Sequence, residues 1–138
     1  MRYRFEECLE RGKIVSIPVD PALVRKEFRE AESDLQASER SLAEHQEKWA
    51  IIQGYYSLFH SLRALIFNKG YREKSHRCLK YAVEALLVDE GILKADVLEQ
   101  FSFAMDLREG ADYGCIYNEE SARLVVLSAR SVFEMVKP

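Results

Sequence analysis

The chain has 138 residues, a length that is typical of one domain and too short for two ordinary ones. Hydrophobic residues make up 48% of the chain and charged residues 31%, a balance that supports a packed core and excludes a disordered chain. The formal net charge of -3 argues against a protein that grips nucleic acid by charge over its whole surface, and it leaves room for a local basic cleft.

Membrane and export signals are missing from the sequence. No apolar run approaches the roughly 18 to 20 residues that cross a bilayer, and the first residues lack the apolar stretch of a signal peptide. We therefore expect a cytoplasmic protein that makes no contact with a membrane.

The cysteine and histidine patterns match no standard metal or nucleotide motif. Cys8, Cys78 and Cys115 are widely spaced, odd in number and without a C-x-x-C pair, so we expect free, mostly buried thiols. The three histidines have no metal-ligand spacing, and no glycine-rich phosphate loop occurs. We expect no metal and no cofactor.

The first predicted elements are a short helix and a long amphipathic one. The short helix covers Phe5–Glu10 and is followed by a linker over residues 13–17. Asp20 can cap the next helix, and Pro21 suits its first turn because proline lacks the amide that would stay unpaired there. The buried stripe of this helix recurs at alternating steps of three and four, at Val24, Phe28, Ala31, Leu35, Ser38 and Leu42.

The next predicted helix is apolar on every side. The polar run over residues 45–48 makes either a turn or a bend, after which a helix continues from Trp49 to Phe67 and stops at the Asn68-Lys69-Gly70 run. Since apolar residues surround its axis, we expect this helix to be the central and most buried one.

Three further helices complete the predicted fold. Ser75 can cap a helix that ends before Gly91, and Asp96 can cap a helix that ends before Gly110. Asn118 can cap the last helix, which runs to Val136. No sustained strand-like alternation is present. The sequence predicts one all-α domain over residues 1–138, an antiparallel bundle of four long helices with a short N-terminal helix.

A polar stripe runs along the central helix. At about 100° per residue, one sector of the helix holds Gln53, Tyr56, Ser57, His60 and Arg63. One interpretation is an internal network in which these groups satisfy one another and nearby carboxylates. The other is a groove where a ligand anion meets Arg63 while His60 does acid–base work.

A second polar residue, Arg108, falls on the apolar stripe of its helix and is expected to point inward. The run Ala111–Gly114 is predicted to be a loop that offers the carboxylate of Asp112 and the phenol of Tyr113. Arg108 and Asp112 form either a clip that fastens this turn or a phosphate site in which Asp112 orients Arg108.

His76 is expected at the start of a helix, next to the capping Ser75 and among Arg72, Lys74 and Arg77. Basic side chains and free helix amides together favour an anion. The alternative is an exposed, solvated turn without a ligand.

Several blocks of the sequence carry a family resemblance. These are the runs YYSLFHSLRAL over residues 55–65, KGY over 69–71, KSH over 74–76 and LREGADY over 107–113. In this order, across about residues 20–136, they resemble the HEPN domain family. The pattern is most similar to that of small stand-alone HEPN proteins.

The resemblance implies a helical bundle that pairs as a homodimer with a cleft near its axis. Such prokaryotic proteins are often encoded beside a minimal nucleotidyltransferase, as toxin to its antitoxin. Many HEPN domains are metal-independent endoribonucleases in which an Arg stabilises the phosphorane and a His a few positions later moves protons. Arg108 matches that Arg, but residues 112–114 are Asp, Tyr and Gly, so His60 or His76 would have to supply the imidazole.

Three functions follow as hypotheses. The first is a HEPN protein that binds nucleotide or RNA, but not DNA, in a dimer cleft and works with a nucleotidyltransferase in a toxin–antitoxin-like module. The second is a metal-independent endoribonuclease toxin, and the third a purely structural interaction module. The candidate catalytic residues are Arg108 and His60, and the candidate ligand-binding residues are Tyr56, Arg63, His76, Asp112 and Tyr113.

Overall fold

The computed structural model describes residues 2–138 and confirms the all-α bundle with four long helices and a short N-terminal one, to which it adds a second short helix after Ser75. None of the helices in these residues is long and apolar enough to cross a membrane. After α4 the chain continues directly into a π-helical turn over Glu84–Val88. The α-helices are α1 Arg2–Glu10, α2 Pro21–Ala43, α3 Glu47–Asn68, α4 His76–Val83, α5 Ala95–Tyr113 and α6 Glu119–Val136.

Three of the predicted helix starts are confirmed by their caps. The side chains of Asp20, Ser75 and Asn118 each accept a hydrogen bond from a backbone amide in the first turn of α2, α4 and α6. Each bond satisfies one of the amides that a helix start leaves without a partner. The Ser75 cap fixes the position of His76 as the first residue of α4.

The start of α5 was predicted wrongly. Lys94, and not Asp96, occupies the capping position, and it makes no side-chain capping bond, while Asp96 lies in the first turn. Leu93 and Val97 are both buried in the core on either side of this start. Their packing sets where the helix begins and overrides the capping preference of Asp96.

The end of α5 also differs from the prediction. The helix runs through Gly110 to Tyr113, so most of the expected loop over Ala111–Gly114 is helical. Ala111 is fully buried in a small cluster with Ala50 of α3 and Ala122 of α6. This packing outweighs the weak helix propensity of glycine, and it places Asp112 one helical turn after Arg108.

Helix α3 is the centre of the bundle, as its composition predicts. It packs against α2, α5 and α6, and more than half of its residues are buried. Gly54 permits the closest approach, because a Cβ atom built there would lie 2.9 Å from Cγ1 of Val125 in α6. The side chains that α3 carries therefore sit at the junction of three other helices.

Two very short strands, β1 Ile14–Ser16 and β2 Tyr71–Glu73, form an antiparallel pair in which Ile14 faces Glu73. Strands of three residues are too short to show an alternating pattern, so residues 13–17 were predicted to be a linker. The pair ties the N-terminal segment to the chain just before α4.

The expectation of free, mostly buried thiols is wrong for two of the three cysteines. Cys8 of α1 and Cys78 of α4 form a disulfide, with their Cα atoms 6.0 Å apart. Packing of α1 on α4 brings together two residues that are 70 positions apart in the chain. Cys115 is free, as expected, but it is exposed.

Candidate functional site

Arg108 lies inside the bundle, as the sequence predicts. Only 9% of its surface is exposed, and its guanidinium carbon lies 5.0 Å from the ring centre of Tyr55 and 5.8 Å from that of Tyr56. Its Nε is buried and makes no hydrogen bond. Nη1 lies 3.7 Å from the carboxylate of Asp112, whose side chain is 38% exposed. The positive charge of Arg108 is thus stabilised by aromatic rings and by one carboxylate at long ion-pair distance.

His76 meets Arg108 at this point. Nδ1 of His76 lies 2.6 Å from the hydroxyl of Tyr55 and 3.5 Å from Nη2 of Arg108. The imidazole packs on Phe59, with ring centres 4.5 Å apart. Its Nε2 makes no hydrogen bond within residues 2–138 and is not enclosed by the protein, so this atom remains available to a ligand.

The protonation states of His76 and Tyr55 follow from their surroundings. Burial lowers the pKa of His76 from its usual value of 6.5, and the charges of Arg108 and Arg63 lower it further. Burial raises the pKa of Tyr55, against the opposing effect of Arg108. At neutral pH the imidazole is therefore uncharged and Tyr55 keeps its proton. With Tyr55 and Arg108 as donors, Nδ1 accepts and the remaining proton of His76 lies on Nε2.

Tyr55 connects this site to the core. Its ring is fully buried, lies parallel to Phe101 of α5 at 5.8 Å and stacks on His76 at 5.7 Å between ring centres. Sequence reasoning placed Tyr55 in the core and gave it no role in the site. The signal for that role is its hydroxyl, because a tyrosine on a buried helix face needs a hydrogen-bond partner.

The polar stripe of α3 contains a second cluster, which takes the form of an internal network. Nδ1 of His60 lies 2.9 Å from the buried carboxylate of Glu27 in α2, and Nε2 lies 3.7 Å from Asp34. Nε of Arg63 donates to Glu73 at 2.8 Å, and Nη1 lies 3.5 Å from Glu27. The side chains of His60 and Arg63 are thus both in contact with carboxylates.

Burial raises the pKa of Asp34 and of Glu73, while the nearby His60 and Arg63 respectively act in the opposite direction. Partial burial of acids and bases in one place is compatible with either a structural or a functional role. Within this cluster, no nitrogen of His60 or Arg63 is both buried and unpaired.

The candidate residues therefore divide into two groups. The structure brings five of them to one place, and it pairs His60 and Arg63 with carboxylates on the other side of Tyr56. The ring of Tyr56 lies 6.0 Å from His76 and 6.5 Å from His60, between the two groups. The residues brought together are Arg108, His76, Tyr56, Asp112 and Tyr113.

The arrangement at Arg108 can hold an anion. It offers a guanidinium whose ion pair with Asp112 is long, an imidazole N–H and, on the exposed side, the ring of Tyr113 at 6.0 Å from the guanidinium carbon. Arginine and neutral histidine at the start of a helix are common partners of phosphate. No three metal-ligating side chains of residues 2–138 are placed so that they could hold a metal ion.

Comparison with known proteins places the chain in a family. A protein of Archaeoglobus fulgidus named "UPF0332 protein" is 38% identical over 72 residues, which cover 52% of this chain and 56% of that protein. The chain thus spans about half the length of this relative. A Methanocaldococcus jannaschii protein named "Putative toxin MJ0605" is 26% identical over 125 residues, 84% of this chain and 93% of that protein. The profile of the HEPN domain matches residues 24–138, and the chain therefore belongs to the HEPN domain family.

Proposed function

We propose that this HEPN protein binds a phosphate group of RNA or of a nucleotide at Arg108 and His76. The observation that carries the proposal is the inward guanidinium of Arg108, whose Nε has no hydrogen-bond partner and whose ion pair with Asp112 is long, at 3.7 Å from Nη1. A largely buried cation with so weak a counter-charge is unfavourable, and a ligand phosphate at the accessible part of the guanidinium would supply a closer one. Asp112 is proposed to keep the guanidinium in place through this ion pair.

The ligand cleft is proposed to form between two copies of the chain. Tyr113 and Ile116, at the exposed end of the site, are 78% and 72% exposed. Along α6, Leu124, Leu127 and Met135 add exposed apolar surface at helical spacing. Apolar surface of this kind marks an interaction site, and a second copy would cover it while enclosing the phosphate site.

The module in which the protein works is proposed to be toxin–antitoxin-like, with a nucleotidyltransferase as partner. The family membership and the name of the M. jannaschii relative support the toxin half of this proposal. The partner half rests on the sequence blocks over residues 55–65 and 107–113, which resemble those of small stand-alone HEPN proteins.

Cleavage of RNA is the second candidate function, and the contact between His76 and Arg108 favours it. An uncharged imidazole beside a guanidinium has the parts needed to take the proton of a ribose 2′-hydroxyl while the developing phosphorane charge is stabilised. For this step the proton of His76 has to move from Nε2 to Nδ1, where the Tyr55 hydroxyl accepts it at 2.6 Å. The 3.5 Å contact of Nδ1 with Nη2 of Arg108 is then no longer a hydrogen bond, because both atoms are donors.

The experiment that tests these functions uses purified protein, structured RNA and tRNA, with chelator present throughout. Binding is measured by fluorescence anisotropy and cleavage on denaturing gels. Arg108→Ala is expected to weaken binding by about 10- to 100-fold, the range for a hydrogen bond to a charged group. His76→Asn is expected to abolish any cleavage.

The matched control is His45→Asn. His45 is exposed in the turn after α2 and has a positive φ of 58°, which asparagine tolerates. This variant is expected to behave like the parent chain. If Arg108→Ala stays folded and binds RNA and nucleotides as tightly as the parent, the phosphate site is wrong. If the parent chain binds neither ligand, the structural interaction module is the correct function.

A further inference from the structure

A basic groove lies beside α4, on the side of α1. Two cavities of about 500 and 390 Å³ share Arg4, Arg77 and Tyr81 in their walls and together form this groove. Volumes of this size are typical of ligand sites. The cations that border the groove are Arg4, Arg11, Lys13, Arg77 and Lys80.

Two of these cations bind neutral groups through their side chains. Arg4 donates to the hydroxyl of Tyr81 at 3.1 Å, and Lys80 donates to the hydroxyl of Ser102 at 3.3 Å. Arg11, Lys13 and Arg77 are exposed. The three carboxylates at the border, those of Glu7, Glu84 and Glu99, leave the groove with an excess of positive charge in a chain whose net charge is -3.

The walls of the groove are held in place covalently. Cys8 and Cys78, which line the smaller cavity, join α1 to α4 through their disulfide. Such a link fixes the spacing between α1, which carries Arg4, and α4, which carries Arg77 and Lys80. A fixed row of cations loses less conformational freedom on binding a charged chain than a row of mobile ones.

The groove reaches the N-terminal end of α4, where the proposed phosphate site lies, although His76 and Arg108 do not themselves line it. Ser75, the cap of α4, lines the smaller cavity, and the next residue, His76, contacts Arg108. From there the groove follows α4 past Arg77 and Tyr81 to its far end. A polyanion bound at Arg108 could therefore contact further cations along α4, such as Arg77 and Lys80.

We infer that this groove is the track for a single-stranded RNA whose phosphate at the groove's Ser75 end sits at Arg108 and His76. The inference rests on the proposed function and deepens it by naming the substrate as an extended strand instead of a mononucleotide. Single-strand tracks combine cations that follow the backbone with aromatic side chains among the bases, and Tyr81 supplies the aromatic ring. An acidic protein segment would use the cations but would not need a phosphate site near the Ser75 end of the groove.

The test measures how RNA affinity depends on salt concentration. The probe is a labelled oligoribonucleotide of about 12 nucleotides, within the site sizes of single-strand binders, and its 2′-O-methyl groups prevent cleavage through the 2′-hydroxyl. The groove variant is Arg11→Ala/Lys13→Ala/Arg77→Ala. The control is Arg25→Ala/Lys26→Ala/Arg29→Ala, which removes two arginines and one lysine that are exposed and unpaired on α2.

Each lost phosphate contact lowers the slope of log K against log salt by about 0.7 for a single strand, so the groove variant is expected to lose about 2 from that slope. Its affinity at about 0.1 M salt is expected to fall by up to about 100-fold. The control variant is expected to keep the slope and affinity of the parent chain.

The outcomes separate the track from the phosphate site. If Arg108→Ala weakens binding and the groove variant does not, the track is refuted and the proposed function stands. If the groove variant weakens binding and Arg108→Ala does not, the strand does not run to Arg108, and both the proposed site and this inference fail. Equal losses in the groove and control variants show attraction to overall charge and also refute the track.

Discussion

The disulfide between Cys8 and Cys78 allows a sharp prediction about stability. Its two cysteines are 70 residues apart, so the bond closes more than half of the chain into a loop. Chain entropy assigns such a loop about 4 kcal/mol of stabilisation at 25 °C, acting mainly by restricting the unfolded chain. Since domains of this size are stable by only about 5 to 15 kcal/mol, reduction is expected to remove a large share of the total.

The assay compares oxidised and reduced samples of one chain. Urea unfolding is followed by far-UV circular dichroism on Cys115→Ser, which removes the exposed free thiol and with it cross-links between chains. Thiol titration first establishes that the oxidised sample has no free cysteine. We expect reduction to lower the free energy of unfolding by about 4 kcal/mol and the midpoint of thermal unfolding by roughly 15 °C.

A matched control identifies the source of the effect. Cys8→Ala/Cys78→Ala/Cys115→Ser has no disulfide to lose, so the reductant is expected to leave its unfolding curve unchanged. Oxidised and reduced samples that unfold within about 1 kcal/mol of each other would refute the loop-entropy reasoning, because that difference is far below the value for a loop of this length.

Three further predictions concern single residues. Glu27→Ala is expected to lower the free energy of unfolding by about 3 kcal/mol, measured by urea titration, because it removes the buried partner of His60 and Arg63. A loss below about 1 kcal/mol would contradict this prediction. Gly54→Ala is expected to destabilise the fold by about 1 to 3 kcal/mol in the same assay, since the new methyl group overlaps Val125, although alanine favours a helix; a gain in stability would show that α6 yields easily. The pKa of His76 is lower in the folded chain than in the unfolded chain, so the unfolded chain binds more protons below about pH 6.5. The free energy of unfolding is therefore expected to fall as the pH drops below this value, and to fall less in His76→Asn. Parallel pH profiles of the two proteins would contradict this prediction.

Local chemistry explains which parts of the fold could be predicted from the sequence. The caps at Asp20, Ser75 and Asn118 were predictable because each depends on a side chain and the amides just after it. The continuation of α5 past Gly110 was not, because it depends on Ala111 packing against residues of α3 and α6. Predictions held where the deciding contact is near in sequence and failed where it is made across the bundle.

The candidate site shows the same division. The inward position of Arg108 followed from helical periodicity, and the start of a helix at His76 followed from its cap. Their meeting did not follow, since they are 32 residues apart and are joined through Tyr55, whose hydroxyl has no sequence signal for its partner. The disulfide was missed for a related reason, because an odd number of distant cysteines gives no indication of pairing.

The stacking of Tyr55 has a consequence for how this protein would lose its function on heating. Its ring is enclosed between Phe101 in the core and His76 at the site. Swinging the imidazole out of this arrangement would break its stacking on Tyr55 and its packing on Phe59. We therefore expect the proposed ligand binding and the near-UV circular dichroism of the tyrosines to be lost along one temperature curve, as in a two-state unfolding transition.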